Sequence, residues 1–143
     1  MIDISEKREV HRTASAEGTI ILGKKSLEAI DEGTVKKGDP IKVAEISAIQ
    51  AVKRTPYEIP HCHPIPIESV DVNVTILEGG IKIDCTVKAI YKTGVEMEAL
   101  SGVNSALLTI WDMVKYLEKD EDGQYPATKI EDVKVTEKKK KVH

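Results

Sequence analysis

The chain has 143 residues and a formal net charge of −3 at pH 7, with 21 Lys and Arg against 24 Asp and Glu. This length suits one domain, and the charge, with one Trp, four Tyr and no Phe, argues against a general nucleic-acid-binding protein. Ile and Val (17 and 14) outnumber Leu (7), which favours a sheet-rich α/β or α+β domain. A charged start, two cysteines and no long apolar segment predict a cytoplasmic protein without disulfides or membrane spans.

The first third of the chain predicts an arm, a strand and a short helix. Residues 1–12 are polar and charged without periodicity, as is typical of an arm. Residues 13–22 predict a first strand that is interrupted at Gly18. Residues 26–30, with a serine as N-cap and Gly33 as the stop, predict a short helix.

A second helix is predicted to begin at Asp39 and Pro40, because Asp is a good N-cap and Pro suits the first turn. We expect it to end at Arg54, since Pro56 lacks the N–H that a helix interior needs. Its apolar residues cover most of its sides. Such a helix is buried on most sides, so we expect an obligate oligomer with this helix at a subunit interface.

The clearest pattern is a β-hairpin in the middle of the chain. Residues 55–68 contain four of the six prolines and predict a stiff extended loop. Apolar and polar residues then alternate over 70–76 and 81–89 around Gly79 and Gly80, which is typical of two strands joined by a turn.

The last third predicts a long helix over residues 97–118, a strand over 130–135 and a disordered Lys-rich tail over 137–143. With the short first helix set aside, the element order is βαββαβ. We therefore expect one α+β domain over residues 1–143 with a ferredoxin-like fold, in which two helices pack on one face of an antiparallel sheet. Because this fold hosts many activities, function has to be argued from sites.

His61, Cys62 and His63 stand together in the proline-rich loop. The ligand types suit zinc, but structural zinc sites use pairs two to four residues apart, and a second pair is missing, with only Cys85 elsewhere. A stiff loop loses less entropy on binding. It therefore suits contact with a substrate, although Cys62 and His63 equally suit ordinary packing.

Glu96, Met97 and Glu98 begin the long helix, where carboxylates also simply stabilise the helix dipole. In a functional interpretation the carboxylates accept hydrogen bonds from the amino edge of a ring, and Met97 packs on its face. Asp112 and Lys115 lie three residues apart on the same helix and are therefore neighbours. They predict either a surface ion pair or an acid–base pair.

Several cations precede or follow these segments, among them Arg12, Lys36, Lys37, Lys53 and Arg54. If they converge, they make a phosphate site, because Arg binds phosphate with a fork and Lys as a point charge. The chain has neither a Walker A nor a dinucleotide-binding glycine motif.

Several segments, in this order and spacing, resemble the molybdenum cofactor biosynthesis protein C (MoaC) family. They are residues 1–5 (Met-Ile-Asp-Ile-Ser), 12–18, 37–39 (Lys-Gly-Asp), 51–55 (Ala-Val-Lys-Arg-Thr), 59–64 (Ile-Pro-His-Cys-His-Pro), 92–100 (Lys-Thr-Gly-Val-Glu-Met-Glu-Ala-Leu) and 108–115 (Leu-Thr-Ile-Trp-Asp-Met-Val-Lys). The resemblance covers residues 1 to about 136. The departures from the family pattern are His61, Val114, a longer loop over 119–128 and the tail.

The resemblance implies a lyase, cyclic pyranopterin monophosphate synthase, which acts in molybdenum cofactor synthesis. Its small-molecule substrate is 3′,8-cyclo-7,8-dihydroguanosine 5′-triphosphate, and its products are cyclic pyranopterin monophosphate and pyrophosphate. The family implies a ferredoxin-like fold, a homohexamer built as a trimer of dimers, and a pocket at a subunit interface. It implies no nucleic-acid or membrane partner and no cofactor beyond Mg²⁺ carried with the triphosphate.

The resemblance also implies a role for each matching residue. The implied catalytic residues are Asp112, Lys115 and Lys37. The implied substrate-binding residues are His61, Cys62, His63, Glu96, Met97, Glu98, Lys53 and Arg12. Two other classes stay open from the residues alone: a nucleotide-binding regulatory domain without catalysis, and a metal-binding protein. An RNA-binding sheet is disfavoured because residues 70–89 contain no aromatic side chain.

Overall fold

The computed structural model describes residues 1–142, which form a four-stranded sheet and three helices. The elements in chain order are β1 (Val10–Ile21), α1 (Lys24–Glu32), α2 (Pro40–Glu58), β2 (Ile67–Leu77), β3 (Gly80–Tyr91), α3 (Glu96–Glu118) and β4 (Lys129–Lys141). The sheet order is β2-β3-β1-β4, and all three neighbouring pairs are antiparallel. The predicted α+β ferredoxin-like arrangement is confirmed, with α1 inserted between β1 and α2.

The core lies between the sheet and the helices. Alternate residues of β1 and β3 are buried, and α3 contributes a buried apolar stripe against them. The side chains with essentially no exposure include Ala16, Ile20, Ile81, Ile83, Cys85, Val87, Val103, Leu107 and Ile110. Because successive side chains of a strand point to opposite faces, the other face of the sheet carries the polar residues of the same strands.

Gly18 does not interrupt the first strand, contrary to the expectation from its residue type. A Cβ atom at this position would lie 2.8 Å from Cγ1 of Val103 and 2.9 Å from Cδ1 of Leu107. The missing side chain therefore lets α3 lie close against β1. The irregularity falls instead on the pairing with β4, whose register shifts between Glu17 and Thr19.

Helix α2 extends beyond the predicted end at Arg54 to Glu58, with Pro56 inside its last turn. Proline removes one backbone hydrogen bond, but burial of Val52 and Thr55 holds this turn against the core. The hydroxyl of Thr55 also donates to the carbonyl of Ala51 at 2.9 Å. Tertiary packing thus outweighs the local cost of the proline.

Helix α1 begins at Lys24 with Gly23 as its N-cap and ends at Gly33, which takes the left-handed conformation. The predicted stop is confirmed, but Ser26 is not the N-cap. Ser26 is buried and donates to Glu118 at the end of α3. The backbone N–H of Gly23 also donates to this carboxylate, at 3.0 and 3.1 Å from its two oxygens, so α3 ties down the start of α1.

Both termini are more ordered than the predicted arm and tail. Residues 10–12, assigned to the arm, belong to β1. Residues 137–141, expected to be disordered, belong to β4 and pair with β1 as far as Lys141 opposite His11. Backbone hydrogen bonding to β1 orders a segment whose composition predicts solvation, and lysines suit an edge strand. His143, also assigned to the tail, lies outside the described residues.

Candidate active site

Lys37, Asp112 and Lys115 form a three-residue charge cluster at the carboxyl-terminal end of α3. The Nζ of Lys37 lies 2.9 Å from Oδ2 of Asp112 and 3.2 Å from its backbone oxygen. The Nζ of Lys115 lies 3.1 Å from Oδ1 of Asp112. One carboxylate therefore holds two primary amines, one on each oxygen.

Helix geometry explains why Lys115 lies beside Asp112, whereas tertiary structure brings Lys37 to the same carboxylate. Asp112 and Lys115 are neighbours because they lie three residues apart on α3, as predicted. Lys37 comes from the loop between α1 and α2. Hydrogen bonds from Lys37 and Lys115 hold the pKa of the Asp112 carboxyl below its ordinary value, so it accepts both amines in its charged form.

The cluster lies open to solvent in the single chain. The side chains of Lys37, Asp112 and Lys115 are 45%, 56% and 41% exposed. The partly buried lysine that would favour a catalytic amine is therefore absent from the isolated chain. Any further desolvation of this cluster has to come from a substrate or from another subunit.

A second group of candidate residues lines one cavity of about 280 Å³ at the other end of α3. Arg12 reaches it from β1, residues 61–63 from the loop before β2, and residues 96–98 from the start of α3. The structure thus brings together seven of the residues that the sequence singled out, although they come from three separate parts of the chain. The lining also includes Lys7, Ile65, Thr93, Gly94 and Lys138.

Glu98 is the most buried charged group of this cavity, with 2% of its surface exposed. Burial raises the pKa of its carboxyl, and the nearby charge of Glu96 adds to the effect. Burial and the charge of Glu98 also raise the pKa of the Cys62 thiol. The cavity therefore contains an acid whose proton is held more tightly than that of an ordinary glutamate.

Glu96 lies in a different electrostatic environment, because Lys138 of β4 places its Nζ 2.6 Å from Oε1 of Glu96. Burial alone would raise the pKa of Glu96, but the hydrogen bond and charge of Lys138, with the charge of Arg12, lower it. Sequence reasoning missed Lys138 because the lysine run was assigned to a tail. Extending the strand period through the run would have placed alternate lysines on the face of the site.

His63 contacts the N-terminal segment rather than lying free. One ring nitrogen, Nε2, is 2.8 Å from the backbone oxygen of Ile2. The segment before β1 therefore lies beside the loop that carries His63, and its Lys7 lines the cavity. His61 and Met97 also line the cavity, and Met97 is 44% exposed.

Lys53 is not part of this cavity. It is exposed on α2, does not line the cavity and does not belong to the charge cluster.

The cavity and the charge cluster are far apart. Glu98 and Asp112 are separated by 14 residues of the same helix, which is about 21 Å along its axis. A single chain therefore does not unite the candidate catalytic and binding residues.

The possible metal ligands of residues 1–142 are not grouped as a metal centre requires. Within residues 1–142, no group of three or more His, Cys, Asp or Glu side chains is placed to hold a metal ion. In the same part of the chain, no helix has the length and apolar composition needed to cross a membrane.

The two groups differ in the chemistry they offer. The cavity combines cations (Arg12, Lys7 and Lys138) with carboxylates, which suits a ligand that carries both anionic groups and hydrogen-bond donors. The charge cluster offers two amines oriented by one carboxylate, an arrangement that suits proton transfer.

Comparison with known proteins places this chain in a family. A family model described as the MoaC family matches residues 1–141. The chain is 56% identical over 140 residues to a probable cyclic pyranopterin monophosphate synthase of Archaeoglobus fulgidus, with 98% of this chain and 90% of the relative covered. Identity to the proteins of the same name is 55% over 140 residues in Thermococcus onnurineus (98% and 90% covered) and 52% over 141 residues in Methanopyrus kandleri (96% and 90% covered).

Proposed function

The chain belongs to the MoaC family, and on that premise we propose that it is a cyclic pyranopterin monophosphate synthase of molybdenum cofactor synthesis. Its substrate is 3′,8-cyclo-7,8-dihydroguanosine 5′-triphosphate, and its products are cyclic pyranopterin monophosphate and pyrophosphate. The observation that carries the proposal is the alignment of the chain, over nearly its whole length, with relatives of that name.

The charge cluster supplies the proton transfers of this reaction. Converting a guanine-derived ring system to a pterin requires bonds to nitrogen and carbon to break and form with protons added and removed. Lys37 and Lys115 act as the acid and the base, and Asp112 holds both amines in place. Each lysine, held by Asp112 as an ammonium ion, can donate a proton, and as the resulting amine it can take a proton back.

The cavity binds the substrate. Arg12 and His63 are ligands for the triphosphate, while Glu96 and Glu98 accept hydrogen bonds from the guanine-derived edge. His61, Cys62 and Met97 pack around it.

The cyclic phosphate forms when a substrate hydroxyl attacks the α-phosphorus and a basic side chain of the assembled site takes the hydroxyl proton. One new P–O bond forms, and the bond between the α-phosphorus and the oxygen that bridges to the β-phosphate breaks. The leaving group is pyrophosphate, and cations stabilise its charge. The overall step is that of a phosphorus–oxygen lyase.

The active site is shared between two subunits of a homohexamer built as a trimer of dimers. The separation of about 21 Å between cavity and cluster along one helix supports this arrangement. Leu108, 58% exposed, lies one helical turn before Asp112 on the same face of α3, and Ile46 of α2 is 57% exposed. An interface that covers these apolar side chains also desolvates Asp112 and Lys115, and it can bring Lys53 of one subunit towards the cavity of another.

The enzyme acts in the cytoplasm, without a resident cofactor, and Mg²⁺ enters only with the triphosphate. The charged cavity lining supports direct binding of the phosphates by side chains.

The test is incubation of the purified protein with 3′,8-cyclo-7,8-dihydroguanosine 5′-triphosphate. We expect stoichiometric pyrophosphate and a pterin that becomes fluorescent after oxidation. Asp112→Asn serves as the inactive control. Substrate that stays intact with the wild-type protein, under conditions in which a relative of the same name turns it over, would contradict the proposal.

A further inference from the structure

Tyr116 contacts the loop that carries Lys37, and neither the motifs nor the proposed chemistry accounts for it. Tyr116 lies four residues after Asp112 on α3, so both side chains leave the same face of the helix. Its hydroxyl oxygen accepts a hydrogen bond from the backbone N–H of Lys36 at 2.9 Å. The Nζ of Lys36 also lies 5.0 Å from the centroid of the Tyr116 ring, within range of a cation–π contact.

Backbone hydrogen bonds also hold the segment that Tyr116 contacts, from the Thr34 N–H to the Ala29 carbonyl at 2.9 Å and from the Gly38 N–H to the Val35 carbonyl at 3.2 Å, but these bonds stay within α1 and the segment itself. It runs between α1 and α2, and Gly33 and Gly38 near its two ends have φ values of +71° and +116°. A Cβ atom at either glycine would meet no other atom within 4 Å, so no other part of the chain packs against these positions on that side. Val35 is the buried residue of the segment.

The ion pair of Lys37 with Asp112 is too exposed to fix this segment by itself. Both side chains are about half exposed, and ion pairs of this kind contribute little because water screens them and the long lysine chain loses entropy. The hydrogen bond to the Tyr116 hydroxyl is also exposed to solvent, but its donor is the backbone of the residue directly before Lys37 rather than the end of a long side chain. That bond restrains the backbone from which the Lys37 side chain extends.

We propose that Tyr116 is a positioning residue for Lys37: its hydroxyl and ring fix residue 36 on α3, so that the Nζ of residue 37 reaches Asp112. The positioning of Lys37 is a property of the folded chain and does not depend on which reaction it catalyses. Its consequence for turnover rests on the proposed function. Among the described residues, Tyr116 makes no hydrogen bond to Asp112 and does not line the cavity; it acts through Lys37.

Tyr116→Phe tests this with little change in shape, because it removes the hydroxyl and keeps the ring. We expect kcat to fall about 3- to 10-fold, the size of one neutral hydrogen bond, with KM unchanged. Tyr125→Phe is the matched control, since the Tyr125 ring packs edge-on against Trp111 of the same helix at a centroid distance of 5.3 Å. It should keep wild-type kcat.

A double-mutant cycle separates positioning from a general structural role. If Tyr116 acts through Lys37, then Tyr116→Phe should cause no further loss of kcat in a Lys37→Ala background. If the hydroxyl only stabilises the fold, the two losses should multiply, and that result would overturn the proposal.

A measurement that needs no turnover distinguishes the positioning role of Tyr116 from the proposed function. The pKa of the Asp112 carboxyl, followed by carbon NMR on the full chain, should rise towards its ordinary value of 3.8 in Tyr116→Phe, because Lys37 no longer stays at its oxygen. An unchanged Asp112 pKa in Tyr116→Phe would overturn the positioning role. Full turnover by Lys37→Ala would instead remove Lys37 from the proposed chemistry, while the NMR result still decides the role of Tyr116.

Discussion

The Nζ of Lys37 lies 2.9 Å from Oδ2 of Asp112, although the two residues are 75 positions apart in the chain. Lys115, three positions from Asp112, occupies the other carboxylate oxygen at 3.1 Å. A local pair and a long-range pair thus share one acceptor. This geometry distinguishes the cluster from an ordinary helical ion pair, which involves two residues only.

The enzyme proposal rests on this cluster. Asp112→Asn and Lys115→Ala should both fold and bind substrate, because these side chains lie exposed outside the core. Turnover should fall about 100-fold or more in each, the usual contribution of one positioned acid or base. The double variant should lose much less than the product of the two single losses, because the groups act as a unit. Single-turnover formation of the pterin measures all three.

Glu28→Gln is the control for these variants. Glu28 pairs with Lys24 at 3.8 Å on the exposed face of α1, so this variant removes a helical ion pair that belongs to neither the cluster nor the cavity. It should keep wild-type turnover. If Asp112→Asn and Lys115→Ala behaved like Glu28→Gln, the cluster would be a surface ion-pair network without a catalytic role.

Arg12 should contribute to binding of the triphosphate. Arg12→Ala should weaken substrate binding, and the loss should be larger at low salt than at high salt, because salt already screens the attraction in the wild type. Calorimetric titration at two ionic strengths measures this. Lys25→Ala, an exposed cation on α1, controls for net charge; equal losses in the two variants would mean that Arg12 acts only through overall charge.

A variant at Lys53 tests whether one chain forms the whole site or two subunits share it. It is exposed on α2 and outside the cavity of its own chain. If a neighbouring subunit completes the site, Lys53→Ala should weaken binding in the same salt-dependent way as Arg12→Ala. Wild-type affinity in Lys53→Ala would remove this residue from the phosphate site.

The exposed apolar side chains of α2 and α3 should lie at the subunit interface. Leu108→Glu places a charge one turn before Asp112 and should reduce the assembly to smaller species, because an unpaired charge is costly to bury. Light scattering after size-exclusion chromatography reports the mass. Lys24→Glu, an exposed change on α1, should leave the assembly intact. A wild-type protein that is monomeric at micromolar concentration would rule the interface out.

Stability should depend on pH through Glu98. Because burial raises the pKa of this carboxyl above its ordinary 4.5, the folded chain holds this proton more tightly than the unfolded chain. This contribution to the free energy of unfolding is therefore present below the ordinary pKa and is lost as the pH rises through the raised pKa. Relative to the wild type, Glu98→Gln should become more stable as the pH rises from about 3.5 to about 7. Urea unfolding at each pH measures the difference.

Glu96→Gln should show the opposite trend. The pKa of Glu96 is lowered, since the bond from Lys138 and the charge of Arg12 outweigh burial. Its stabilising contribution is present above the ordinary pKa and is lost as the pH falls. This variant should therefore be less stable than the wild type at neutral pH and approach it in acid. The same trend in both variants would contradict the two assigned environments.

Several features were determined by the sequence alone because they depend on neighbours along the chain. Strand alternation over residues 70–76 and 81–89 predicted the β2–β3 hairpin, and the Asp39–Pro40 step predicted the start of α2. Helical spacing placed Lys115 beside Asp112. The motifs near these residues indicated the family that the comparisons show.

Other features were decided by the tertiary structure, because they depend on contacts between distant segments. Backbone pairing with β1 turned the lysine run into a strand and placed Lys138 on Glu96. Packing of α2 on the core carried this helix past Pro56. The packing of the helices on the sheet brings Lys37 to Asp112 and Tyr116 to the residue before Lys37. The same packing keeps the cluster apart from the cavity. No local pattern encodes these relationships, since the free energy that fixes them comes from burial and pairing between parts of the chain that are far apart in sequence.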